Sequence, residues 1–220
     1  MSDCFIISLY PDCISQSMID YQKKVFDNLD IPITQIKVDG RLAAETHAHA
    51  MGEIVKSYKY DYYIFFDIDA IPLKKELVNY ILHSIRDDET LFGVAQQSNH
   101  IIKPNGTYDH IYAGPSCMGF SSKLYSKLGS PSFAPNHRGD TAEELTWETE
   151  SKELKLKLLY PTHSVGKPIW DLGHLPPYGF GTTYDDMVFH DFGASGNNGV
   201  TKGYSILEMF VEKCKEVLGE

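Results

Sequence analysis

Several things are scarce in this 220-residue sequence, and each scarcity excludes a class of protein. The four cysteines, Cys4, Cys13, Cys117 and Cys214, are scattered and form no Cys-x-x-Cys pair. Neither a disulfide framework nor a zinc knuckle is indicated, and reduced thiols in a cytosolic protein are the expectation. Positive charge is also short, with 20 basic against 30 acidic residues and a formal charge of −10. That balance disfavours non-specific attraction to nucleic acid or to an anionic membrane. No apolar run approaches the roughly 20 residues of a spanning helix. The opening "MSDCFIISLYPD" lacks the basic start and long apolar stretch of a secretion signal. A soluble, cytoplasmic chain with no transmembrane segment and no nucleic-acid partner is expected. Internal repeats and low-complexity tracts are missing as well.

What is present is an ordinary globular composition, 42% hydrophobic and 23% charged, in a chain long enough for one sizeable core. "CFIISLY" is a short apolar run. The stretch after it, "ISQSMIDYQKKVFDNL", repeats Ile14, Met18, Tyr21, Val25 and Leu29 at helical spacing. "ITQIKVD" reads as a second strand, "AAETHAHAMGEIVKSY" as a second helix, "DYYIFFD" as a third strand, "LKKELVNYILHSIRDD" as a third helix and "LFGVAQQ" as a further strand. This β-α rhythm predicts an α/β fold, a Rossmann-like, largely parallel sheet flanked by helices. Past residue 100 the order continues less regularly: "YAGPSCMGF" as a strand, "SSKLYSKLG" as a short helix ended by Gly129, "GDTAEELTWETESKELK" as a capped helix and "LKLLYP" as a strand.

Residues 161–204 differ in composition, holding eight of the 17 glycines and four of the 11 prolines. Trp170, Tyr178, Phe180, Tyr184, Phe189 and Phe192 are interspersed there, so this loop-rich segment is expected to be an ordered lid or binding loop.

The most informative stretch is "DYYIFFDIDAIPL", Asp61 to Leu73, an apolar strand closed by two carboxylates at i and i+2. On an extended strand Asp67 and Asp69 project to one face. At the carboxyl end of a central parallel strand they stand where open α/β sheets bind ligands. Two adjacent carboxylates repel unless a hard divalent cation lies between them. Solvated turn residues ahead of Pro72 are the plainer alternative.

An apolar strand ending in Asp-x-Asp after two β-α units, with an Ile-Pro-Leu shoulder, resembles the nucleotide-sugar-dependent glycosyltransferases of the GT-A fold. The resemblance implies one catalytic domain over 1–220, with residues 1–100 as the nucleotide-sugar-binding half and 101–220 as the acceptor-binding half and C-terminal loop. It implies that Asp67 and Asp69 hold Mn²⁺ or Mg²⁺ on the donor diphosphate, with Asp67 also serving the donor. "HDFGASG" is similar to the His-Phe-x-Gly element of the glycogenin-like enzymes, with Asp191 inserted, and nominates His190 as a third metal ligand. Tyr10, Asp39 and Arg41 at the first two strand ends, and His47 on the helix before Asp-x-Asp, are implied donor contacts. His49, at i+2 from His47, diverges from it.

The resemblance also points to Asp140, Glu143 and Glu144 as candidates for acceptor binding or for deprotonating the attacking hydroxyl, with Trp147 one turn further along. In structural terms Asp140 and Glu143 have the spacing of a capping box. The implied reaction moves a sugar, hexosyltransferase-like, from a nucleoside-diphosphate sugar, UDP-sugars being favoured, to a glycan or other hydroxyl acceptor. The stereochemical course stays open. Two rivals remain: a phosphatase of the haloacid-dehalogenase type, with Asp185-Asp186 as its late acidic pair, and a non-catalytic carbohydrate- or nucleotide-binding module.

Overall fold

The computed structural model describes residues 3–38, 44–98, 100, 110–166, 168–194, 200–201 and 204–220. The first half alternates as the hydrophobic pattern dictates: β1 (Cys4–Pro11), α1 (Gln16–Asn28), β2 (Thr34–Val38), α2 (Ala44–Ser57), β3 (Tyr62–Asp67), β4 (Ala70–Pro72), α3 (Leu77–Ile85) and β5 (Thr90–Gln97). Then follow β6 (Ile111–Ser121), α4 (Ser122–Lys127), α5 (Glu143–Ser151) and β7 (Lys155–Leu159). Six of the strands form the central sheet in the order β2-β1-β3-β6-β5-β7.

Pairs β1·β2, β1·β3 and β5·β7 are parallel, whereas β6 runs antiparallel to both β3 and β5. The sheet is thus largely parallel, with one reversed strand that the simple β-α rhythm does not reveal. β6 lies inside the sheet, between β3 and β5. From Tyr112 to Ser121 it is buried throughout, and its unbroken apolar run is the mark of a strand covered on both faces. Phe26 meets Phe66 edge-on at 5.0 Å, and Phe65, Phe120, Tyr125 and Phe133 pack ring to ring within the same core.

Over its described residues the glycine-rich segment is ordered, as expected of it. It is built from short strands: β8 (Pro161–Ser164), β9 (Trp170–Leu172), β10 (Leu175–Tyr178), β11 (Thr182–Tyr184) and β12 (Val188–His190), followed later by α6 (Ile206–Leu218). β4, β12, β11 and β8 form a second, antiparallel sheet, and β9 pairs with β10 as a hairpin. Strands of three or four residues carry too little alternation to stand out in the sequence. Their aromatic residues stack instead, Trp170 on Tyr178 at 5.2 Å and against Phe192 at 4.9 Å. A second core joins α1, the chain after β3, β12 and α6 through Met18, Ile68, Ile71, Phe189 and Phe210. No helix among the described residues is long and apolar enough to cross a membrane.

Candidate metal and substrate site

β3 ends at Asp67, and Ile68 and Asp69 form a turn before β4 begins at Ala70. The expectation of two carboxylates sharing one face of an extended strand is therefore corrected, because the chain bends between them. The bend is fixed on several sides. Gln22 of α1 donates to the carbonyls of Asp67 (2.7 Å) and Ala70 (2.9 Å). The Asp191 N–H donates to the Asp69 carbonyl at 2.9 Å, and the Ala194 N–H donates to Asp69 Oδ2 at 3.1 Å. Ile68 is buried in the second core.

His190 arrives by strand register. β12 pairs antiparallel with β4, placing Val188 opposite Pro72, Phe189 opposite Ile71 and His190 opposite Ala70. A slip of one residue would turn the imidazole to the other face. In the observed register His190 Nε2 lies 3.2 Å from Asp69 Oδ1 and 3.8 Å from Asp67 Oδ2.

One ligand atom from each of Asp67, Asp69 and His190 falls within 4.8 Å of the other two. An octahedral ion with bonds of about 2.1 Å separates opposite ligands by about 4.2 Å, so one ion fits with small shifts. Two carboxylates with one imidazole form a donor set that can hold a divalent cation. Asp69 and His190 are only 6% and 3% exposed. Among the described residues, no N–H or O–H hydrogen-bonds to the Asp67 carboxylate, whose nearest cationic candidates are His190 and, at 3.6 Å, His47 Nε2.

Electrostatics bear the mark of this crowding. Burial raises the Asp67 pKa, and the two histidines only partly offset it. Burial alone would lower the His190 pKa, but the Asp69 and Asp67 carboxylates outweigh it and hold the imidazole above its usual value. Behind them, burial and the Asp69 charge push Asp191 up to about 8. His190 Nδ1 and Asp191 Oδ2 are buried without a hydrogen-bond partner among the described residues. Negative charge is thus concentrated where protein groups leave it under-compensated, the condition a divalent cation relieves.

The triad lies at one side of a cavity of about 360 Å³ at the carboxyl ends of β1, β3 and β5. Pro11, His47, Gln96, Asp140, Trp170 and Tyr178 are among its lining residues. Gln96 lies across β6 where a Cβ on Gly114 would come within 2.4 Å of its side chain, so the glycine makes room for it. Tyr112 donates to Gln96 Oε1 at 2.9 Å.

Of the remaining candidates, His47 reaches the cavity while His49 is exposed on the same helix. Tyr10 does not line the cavity and packs at the edge of the second core. Asp39 and Arg41 lie outside the described residues.

The three acids before α5 separate. Asp140 lines the cavity. Glu143 is fully buried: its Oε1 lies 2.5 Å from His110 Nδ1, and its Oε2 accepts from Ser98 Oγ at 3.1 Å and from the Asp140 N–H at 2.8 Å. Glu144 is engaged by Arg138 and by Asn136 Nδ2 at 2.8 Å. Half of the capping-box expectation therefore holds, the Glu143 carboxylate reaching back to the Asp140 N–H. The other half does not: Asp140 accepts from Thr141 N at 2.7 Å, and the residue capping the helix is Ala142, with φ of 64°. Trp147 stacks on His110 at 3.6 Å and is absent from the cavity lining; the tryptophan that lines it is Trp170. Sequence reading missed Gln22, whose signal was a lone amide in the apolar stripe of α1, and Gln96, which carried none; Trp170 and Tyr178 were among the aromatics of the expected lid or binding loop. Asp185 and Asp186 occupy the exposed turn between β11 and β12, away from the cavity.

No protein-family model matches the chain, and no curated protein matches it. Among solved structures, a mannosyltransferase from Pyrobaculum calidifontis in complex with GDP-Man and Mn²⁺ is similar at a TM-score of 0.50 and 12% identity, over 71% of this chain. The match covers 54% of that enzyme, so the present chain spans about half its length. A putative glucose-1-phosphate thymidylyltransferase from Bacillus anthracis in complex with a sucrose aligns at a TM-score of 0.42 and 14% identity, over 72% of this chain and 87% of that one. A CMP:2-keto-3-deoxy-manno-octonic acid synthetase complexed with CTP aligns at 0.40 and 11% identity, over 72% and 89%. At 12% identity the first likeness establishes the fold, a helix-flanked Rossmann-like sheet of the kind on which that mannosyltransferase is built.

Proposed function

We propose that this chain is a metal-dependent glycosyltransferase that moves a sugar from a nucleoside-diphosphate sugar to a glycan or other hydroxyl acceptor. The observation carrying the proposal is the convergence of Asp67, Asp69 and His190 beside a cavity at the carboxyl edge of the parallel strands. In this reading residues 1–100 contribute the donor half and 101–220 the acceptor half of one catalytic domain. Asp67, Asp69 and His190 hold Mn²⁺ or Mg²⁺, and His47 faces the donor. When bound, the ion neutralises charge growing on the departing diphosphate and orients it.

The chain's own groups supply the rest. The Asp69 carboxylate, anchored by the Ala194 N–H, keeps one oxygen directed at the triad. Of the three acids before α5, Asp140 is the one in the cavity and is the group proposed to receive the acceptor hydroxyl's proton. Glu143 and Glu144 keep that segment in place.

The test is a panel of nucleotide sugars, UDP-sugars first, incubated with Mn²⁺ and scored for free nucleoside diphosphate with and without candidate acceptors. Metal-dependent release that Asp69→Ala abolishes is expected. Full activity in that variant, or in excess chelator, contradicts the proposal. Release of pyrophosphate from a nucleoside triphosphate and a sugar phosphate would replace sugar transfer with nucleotidyl transfer, and cleavage of phosphomonoesters would favour the phosphatase.

A further inference from the structure

Gln22 is a polar residue where the pattern of α1 calls for an apolar one. It sits in the buried stripe with Met18, Ile19, Val25 and Phe26 and is 0% exposed. A buried amide is tolerated only if its hydrogen-bonding groups are used. Here its nitrogen has two acceptors, the carbonyls of Asp67 and Ala70, which bracket the Ile68-Asp69 turn. Carbonyl oxygens only accept, so the NH₂ side must face them, one hydrogen to each. The amide oxygen accepts from Gln35 Nε2 at 3.0 Å, and Gln35 donates in turn to the Ile19 carbonyl at 2.9 Å. The side chain is therefore held at both ends.

Asp67 and Asp69 depend on this clamp unequally. Asp69 has anchors of its own, the Asp191 N–H on its carbonyl and the Ala194 N–H on its carboxylate. Asp67 has no hydrogen-bond donor on its carboxylate among the described residues, so its direction follows from its backbone. That backbone is tied on the helix side by Gln22.

We infer that Gln22 is a positioning residue for the divalent-cation site, acting through the backbone of the Asp67–Ala70 turn, with Gln35 orienting it from behind. The inference rests on the metal-site reading above. Groups that orient metal ligands without touching the ion typically change affinity by about 10- to 100-fold when removed.

The experiment is a Mn²⁺ titration of the whole chain followed by the electron paramagnetic resonance signal of free Mn²⁺, with thermal midpoints recorded in parallel. Gln22→Met keeps the length of the side chain and removes both donors. It is expected to raise the Mn²⁺ dissociation constant by about 10- to 100-fold. Leu82→Ala, a core truncation on α3, is expected to lower the thermal midpoint while leaving Mn²⁺ affinity at the wild-type value. If Gln22→Met fails to fold, Gln35→Met takes its place, with a smaller rise in the same direction expected. Wild-type affinity in a folded Gln22→Met, or in Gln35→Met if that variant replaces it, overturns the positioning role while leaving the metal site standing. A wild-type protein that binds no Mn²⁺ overturns both.

Discussion

Two acidic clusters lie on the cavity side of this molecule, and they differ in how their charges are met. Before α5, Glu143 is matched by His110, Ser98 and the Asp140 N–H, and Glu144 by Arg138 and Asn136. At the end of β3, the Asp67 carboxylate accepts no hydrogen bond among the described residues, and burial holds its pKa up. Buried charge that the protein satisfies internally serves architecture. Buried charge left short of partners is poised for a ligand. Asp140 stands between the two cases, with its backbone in the first cluster and its side chain at the cavity.

Substitutions should move the clusters in opposite directions. The largest effect is expected for Asp69→Ala, which should remove Mn²⁺ binding altogether in a titration while the protein remains folded. Next, Glu143→Ala strips a fully buried carboxylate from His110 and Ser98. It should lower stability by about 3 to 5 kcal/mol in urea unfolding, in line with broken buried pairs. Asp67→Asn removes a desolvated charge, so the metal-free protein should gain about 1 kcal/mol even as metal affinity falls, the usual trade at a functional site. A loss of stability in that variant would place Asp67 with the architectural acids.

Acidity sharpens the same contrast. The folded-state pKa values of Asp67, His190 and Asp191 are all raised, that of Asp191 from 3.8 to about 8. Groups with raised folded pKa values bind more protons in the native state, so the stability they lend is complete below their unfolded pKa values and lost as pH rises through the folded ones. Thermal midpoints of the metal-free protein should therefore fall as pH rises from about 4 to about 8, the span between the unfolded and folded values of Asp191. The upward shift produced by Mn²⁺ should grow over the same range, because the ligands must be deprotonated to bind. The smallest effect is expected for Glu144→Gln. Its partner Arg138 is partly solvent-exposed, so the loss should be within about 1 kcal/mol, with Mn²⁺ affinity unchanged.

The sequence makes the β-α order of the first half legible, because five- to eight-residue apolar runs and amphipathic helices are long enough to show their periods. It also marks Asp67, Asp69 and His190 as a group to look for. It hides the reversed strand β6, since a strand buried on both faces has no alternation to betray its direction. The second sheet is hidden too: β4, β11 and β12 have three residues each, and their order depends on a β4·β12 ladder linking positions more than a hundred residues apart. For the same reason the sequence names His190 but cannot supply the register that aims it. The acids before α5 show the reverse problem. Asp140, Glu143 and Glu144 look alike as sequence, and only their partners, His110 and Arg138 among them, separate the one at the cavity from the two that are tied down.

The most direct measurement compares Mn²⁺ titrations of the wild type, Asp69→Ala and Glu144→Gln under one set of conditions. One bound ion per chain in the wild type and in Glu144→Gln, with none in Asp69→Ala, is the expected result. Equal binding by Asp69→Ala, or no saturable binding by the wild type, would contradict a divalent-cation site at Asp67, Asp69 and His190.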